Sequence, residues 1–110
     1  MIDWDSDKTY TFLNPRFSQK EKDHLLEEIP LLESHIWILT SGSTARHKWV
    51  ALSKRAFLTS ASAVNNRFSI TSQDIWLNPL PIFHVGGLSI HARAHLAHAS
   101  VIDMYKDKWD

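Results

Sequence analysis

Cysteine is absent from this 110-residue chain, which excludes a disulfide framework and any zinc–thiolate site. Charge of one sign is also lacking, because twelve Lys and Arg balance twelve Asp and Glu. The chain therefore carries no electrostatic footprint for nucleic acid or an anionic membrane surface. No apolar run approaches the ~20 residues a membrane-spanning helix needs. The N-terminus, Met1-Ile2-Asp3-Trp4-Asp5-Ser6-Asp7, is acidic and has no apolar centre, so it does not read as a signal peptide. Internal repeats and low-complexity tracts are missing as well. With neither cysteine nor a targeting signal, the cytosol is the expected compartment. What is present, a 44% hydrophobic composition, is enough to form the core of one small domain or of a piece of a larger one.

Apolar periodicity and capping signals place the elements. Ser18-Gln19-Lys20-Glu21 is a capping box that starts a helix. Leu25, Leu26 and Ile29 give that helix an apolar stripe, and Pro30 ends it. Residues 35–40 are apolar and β-branched and predict a buried strand, with a second strand over 49–52. Ser53 can cap a helix running to about Phe68, with Phe57, Ala61, Val64 and Phe68 on one face. Residues 74–78 predict the next strand, stopped by Pro79 and Pro81. Gly86 and Gly87 break the chain, Leu88, Ala92 and Leu96 mark one side of a third helix, and 101–105 is the last strand. Strands alternating with helices predict an α/β fold with a partial, mostly parallel sheet and flanking helices. Residues 1–35 are expected to form an N-terminal segment with one helix, and residues 36–110 the partial domain proper.

The chemistry is concentrated in Thr40-Ser41-Gly42-Ser43-Thr44-Ala45-Arg46-His47-Lys48, where four hydroxyls, one glycine and one lysine fall within nine residues. Strand, hydroxyl-rich loop and lysine together make a cradle for polyphosphate: N–H and O–H groups donate to phosphate oxygens and the ammonium supplies charge. The same composition also suits a polar hairpin turn. The stretch is not a Walker loop, because the second glycine position is His47 and Trp49 follows the lysine.

Thr40 to Thr44, Lys48 and Val50 resemble the phosphate-loop signature of the adenylate-forming (AMP-forming) ligases, the family of acyl-CoA synthetases, luciferases and peptide-synthetase adenylation domains. Ala45 and Trp49 stand where glycine is usual, and His47 where proline is usual. Asp74-Ile75-Trp76-Leu77-Asn78-Pro79-Leu80-Pro81-Ile82-Phe83-His84-Val85-Gly86-Gly87-Leu88 is similar to the family's Leu-Pro-Leu-Phe-His-x-x-Gly segment. The tryptophan before it and the Val-Gly-Gly after it are most similar to the branch acting on o-succinylbenzoate in menaquinone biosynthesis. The resemblance runs from about Ile36 to the C-terminus. It implies part of a large N-terminal domain, with ATP, Mg²⁺ and CoA as cofactors and a small-molecule carboxylic acid as substrate. It assigns Thr40, Ser41, Gly42, Ser43, Thr44 and Lys48 to the ATP phosphates. His84, the candidate catalytic residue, is placed at the acyl carboxylate, with Gly86 and Gly87 beside it at the substrate.

Other readings stay open beside that one. A backbone carbonyl can satisfy His84, and the two glycines can serve only to start a helix. The family's Tyr-Gly-x-Thr-Glu segment, ribose-binding Asp and lysine-bearing C-terminal domain are not found, so the 110 residues are expected not to catalyse alone. A non-catalytic interaction module on the same scaffold is the alternative, favoured by Ala45, His47 and Trp49. His91, His95 and His98 have i, i+4, i+7 spacing but lack the Glu of H-E-x-x-H, so a solvated helix face is expected rather than a metal site. Ser41, His84 and Asp74 supply the residue types of a hydrolase triad, but the sequence has no G-x-S-x-G elbow. Strand 101–105 is expected to offer an exposed sheet edge for self-association.

Overall fold

The computed structural model describes residues 2–41 and 47–104. It divides into two compact units, Met1–Ser53 and Lys54–Asp110.

In the first unit, β1 (Tyr10–Phe12) and β3 (His47–Ser53) flank β2 (His35–Ser41). The apolar run of β2 becomes the centre of this unit: Ile36 is fully buried, and Trp37 and Ile38 nearly so. β1 runs parallel to β2, pairing Tyr10 with Ile36 and Phe12 with Ile38. Thr9 stitches the entry to both strands, its hydroxyl donating to the Leu32 carbonyl and accepting from the His35 N–H. β2 and β3 pair antiparallel from His35↔Ser53 to Ser41↔His47. The connection between them is the five residues 42–46. That is too short for a parallel crossover, which takes a dozen residues or more, so the two strands must form a hairpin.

Helix α1 (Gln19–Leu26) begins where the capping box predicts. The Ser18 hydroxyl accepts from the Glu21 N–H at 3.1 Å, and the Glu21 carboxylate accepts from the Ser18 N–H at 3.0 Å. The helix ends at Leu26, short of Pro30, and it buries no residue. Its expected apolar stripe is thus only half covered, with Leu26 42% exposed.

In the second unit, helices α2 (Lys54–Phe68) and α3 (Val85–Ala97) accompany β4 (Ile75–Asn78) and β5 (Ser100–Asp103). β4 and β5 are parallel, pairing Trp76 with Val101 and Asn78 with Asp103. Phe57 and Ala61 of α2 are buried, and so are Leu88 and Ala92 of α3, all four at predicted core positions. Phe68 and Leu96 are exposed at the ends of the same stripes. Asn65 ties the helices together, its side-chain N–H donating to the Arg93 carbonyl at 3.0 Å.

The fold is α/β, and two of the three strand pairings among the described residues are parallel. The strands form two separate sheets, of three and two strands, where the sequence predicts one. No helix among the described residues is long and apolar enough to cross a membrane.

Candidate functional site

The β2–β3 hairpin sets Thr40 opposite Lys48. Both residues are exposed, and the Thr40 hydroxyl donates to the Lys48 carbonyl at 3.1 Å, locking the register where the loop begins. Ser41 closes the ladder opposite His47. Gly42, Ser43 and Thr44 lie outside the described residues, as does Ala45. Alternation along a strand puts Thr40 and Lys48 on one face of the hairpin and His47 and Trp49 on the other.

The residues flanking Lys48 are held by the N-terminal segment. Phe17 meets the His47 ring edge-on, with centroids 5.3 Å apart. The Trp49 indole N–H donates to the Leu25 carbonyl at 3.1 Å, and its ring meets Trp37 edge-on at 6.3 Å. The Glu21 carboxyl lies below its ordinary range, chiefly because of its two hydrogen bonds with Ser18 and to a smaller degree because of the nearby His47 charge.

In the second unit, His84 is the N-cap of α3 in extended backbone (φ −117°, ψ 147°). Its side chain makes no capping hydrogen bond; the ring is exposed and tilts against Phe83 at 5.2 Å. Gly86 and Gly87 occupy the first turn of α3 and do not break the chain, and neither has a positive φ. Gly87 is needed for a close approach of two backbones. A Cβ there would lie 2.9 Å from the Pro81 carbonyl carbon, and nearer still to its oxygen. At Gly86 a Cβ would meet only the Leu80 side chain, at 2.5 Å. The loop and helix start therefore bring His84, Gly86 and Gly87 together with Leu80 and Pro81.

A polar cluster at the carboxyl ends of β4 and β5 escaped the sequence reading. Asn78 is fully buried. Its amide N–H donates to Asp103 Oδ1 at 2.8 Å, and its Oδ1 accepts from the Leu80 N–H at 3.0 Å. His91 Nε2–H donates to the same Asp103 oxygen at 2.8 Å. His91 is therefore not on a solvated helix face: its side chain is 12% exposed and paired with a carboxylate. No sequence signal links the three, since Asp103 becomes the neighbour of Asn78 only through the β4–β5 pairing and of His91 only through the packing of α3 on β5. His98 departs from the expected face in another way, serving as the left-handed C-cap of α3 (φ 55°, ψ 31°). Asp74 is spent in a turn, accepting from the Thr71 N–H at 2.7 Å. Among the described residues no group of three or more His, Asp or Glu side chains is placed to hold a metal ion. Cavities of about 310 and 220 Å³ are lined by other residues than those predicted for the site.

Comparison with known proteins gives three findings. Residues 3–108 match the family described as AMP-binding enzyme. The 2-succinylbenzoate–CoA ligase of Bacillus cereus (strain AH820) is 36% identical over 81 residues, covering 74% of this chain and 17% of that ligase. The chain thus spans about a sixth of the length of the curated relatives it matches. The solved o-succinylbenzoate coenzyme A synthetase of Bacillus subtilis is similar at 26% identity and a TM-score of 0.60 in two forms. Its complex with AMP covers 82% of this chain and 29% of that one. Its complex with ATP and magnesium ion covers 86% and 23%.

Proposed function

Because the chain belongs to the AMP-binding enzyme family, we propose that it is a portion of the N-terminal domain of an AMP-forming acid–CoA ligase, of the kind acting on o-succinylbenzoate in menaquinone biosynthesis. Residues 36–110 carry the family's scaffold in this reading, and residues 1–35 precede it. Its likeness to the Bacillus ligases supports the substrate class. The observation that carries the reading is the hairpin register, which sets the Thr40 hydroxyl and the Lys48 ammonium on one exposed face where the hydroxyl-rich loop begins.

In the reaction proposed, a carboxylate oxygen attacks the α-phosphorus of ATP and pyrophosphate leaves. The CoA thiol then attacks the acyl carbon and AMP leaves. Lys48 and the loop from Thr40 to Thr44 hold the β- and γ-phosphates, which fits an exposed ammonium beside clustered hydroxyls. Mg²⁺, when bound with ATP, would neutralise charge on those phosphates. His84, Gly86 and Gly87 border the acyl carboxylate. No described residue is assigned to CoA. The cytosol, where these substrates occur, is the compartment this reading requires.

Mg·ATP should raise the melting temperature of the chain, since a ligand that binds only the folded state stabilises it, and Lys48→Ala should remove that shift. An unchanged melting temperature at millimolar Mg·ATP would sink the phosphate reading. A non-catalytic module is the second reading, favoured by the engagement of His47 and Trp49 with the N-terminal segment. Pyrophosphate exchange tests whether the chain is incomplete as a catalyst, which both readings expect. The isolated 110 residues should show none with o-succinylbenzoate, and exchange above background that His84→Ala abolishes would overturn that expectation.

A further inference from the structure

We propose that His47 and Trp49 are positioning residues, which hold helix α1 against one face of the hairpin and so set Lys48 in place on the other. The inference rests on the phosphate reading of Lys48. Three contacts reach positions 47 and 49 from the N-terminal segment or the neighbouring strand. Phe17 packs edge-on against His47, the Leu25 carbonyl accepts the Trp49 indole N–H, and Trp37 receives the Trp49 ring. The first two come from either end of α1, so the helix spans the strand segment that contains the lysine. Alternation sends the Lys48 side chain away from these contacts. On its face Thr40 also lies, hydrogen-bonded to the Lys48 carbonyl.

The arrangement has a physical purpose. β3 has no strand beyond it among the described residues, and the free edge of a sheet frays most readily at its loop end. Two anchored aromatic side chains on either side of Lys48 suppress that fraying. They lower the conformational entropy the lysine must lose when an anion arrives. These are also two of the three positions at which the chain departs from the phosphate-loop pattern it resembles. Glycine at position 49 has no indole N–H to donate, and proline at position 47 has no aromatic ring for Phe17 to meet. The substitutions therefore exchange backbone latitude in the loop for a docked helix behind it.

Calorimetric titration with sodium tripolyphosphate tests this on the 110-residue chain and three variants, with hydrogen exchange followed in parallel. Lys48→Ala should abolish binding, which locates the site at the hairpin. Phe17→Ala acts on the lysine only through His47. Trp49→Phe keeps a ring on Trp37 and loses only the N–H bond to Leu25. Each should weaken binding by about three- to tenfold, the worth of one ordinary hydrogen bond or packing contact. Amides of α1 and of the loop end of β3 should exchange faster, while the far end of the β2–β3 ladder stays protected. Lys48-dependent binding that is unchanged in both variants would overturn the positioning role and leave the phosphate reading intact. Parent binding that is absent, or indifferent to Lys48→Ala, would defeat the phosphate reading itself and this inference with it.

Discussion

Gly86 and Gly87 are neighbours of one type with different tasks. At Gly87 a methyl group would collide with the Pro81 carbonyl, a backbone atom that cannot step aside. At Gly86 it would meet a flexible leucine tip. Gly87→Ala should therefore cost about 1–3 kcal/mol, as overpacking does. Gly86→Ala should lie within about 1 kcal/mol of neutral, since alanine favours the helix. Urea denaturation decides, and equal effects at the two positions would contradict the close-approach account. The scarcity of glycine, three in the chain, shows elsewhere. α2 is followed by Ser69 at φ 53°, and α3 by His98 at φ 55°, where glycine is the usual residue. A side chain in that left-handed region is strained, so His98→Gly should stabilise the chain by about 1 kcal/mol. A loss of stability would mean that the His98 side chain makes a contact worth more than the strain.

At the scale of elements, α1 depends on its ends because it buries no side chain. Ser18→Ala removes one half of the capping box and should cost about 1 kcal/mol, read as lost helicity and faster exchange at the first turn. The helix should also be sensitive to acid. The Glu21 carboxyl is lowered from 4.5, chiefly by Ser18. Its contribution to stability is therefore fully present above pH 4.5 and is lost as the pH falls through its depressed folded value. Helicity that persists unchanged from pH 6 down through this window would show the capping box to be idle. The hairpin illustrates how far an element can be read from sequence. Both strands and the loop were legible from composition, and five connecting residues dictate an antiparallel turn. The α/β pattern of the whole chain nevertheless favours parallel pairing, and the local constraint wins here because loop length is absolute.

Across the molecule, the second unit leaves an apolar face bare. Ile75, Leu77 and Ile102 are 63%, 56% and 49% exposed. The parallel register puts them on one side of β4–β5, opposite the side that carries Asn78 and Asp103. Each of these strands has a single partner among the described residues, and unpaired edges with apolar side chains invite pairing. Light scattering over a concentration series should therefore detect dimers or larger species, and Ile102→Lys should reduce them. A monomer at all concentrations would show that the face needs no cover. Asp103 does not cover this face, because alternation places its side chain on the opposite side of the sheet.

Residue type and spacing alone determined where α1 and α2 begin and that β2 is buried, because capping and periodicity act over a few positions. Tertiary structure decided what needs distant partners. It turned His91 from a surface residue into the partner of Asp103, since the packing of α3 against β5 brings residues twelve apart into contact. It converted two apparent defects beside Lys48 into contacts with Phe17 and Leu25, since aromatic rings have reach that a linear pattern does not display. It also gave Gly87 its reason, because the Pro81 carbonyl arrives there through a turn whose path depends on a buried asparagine.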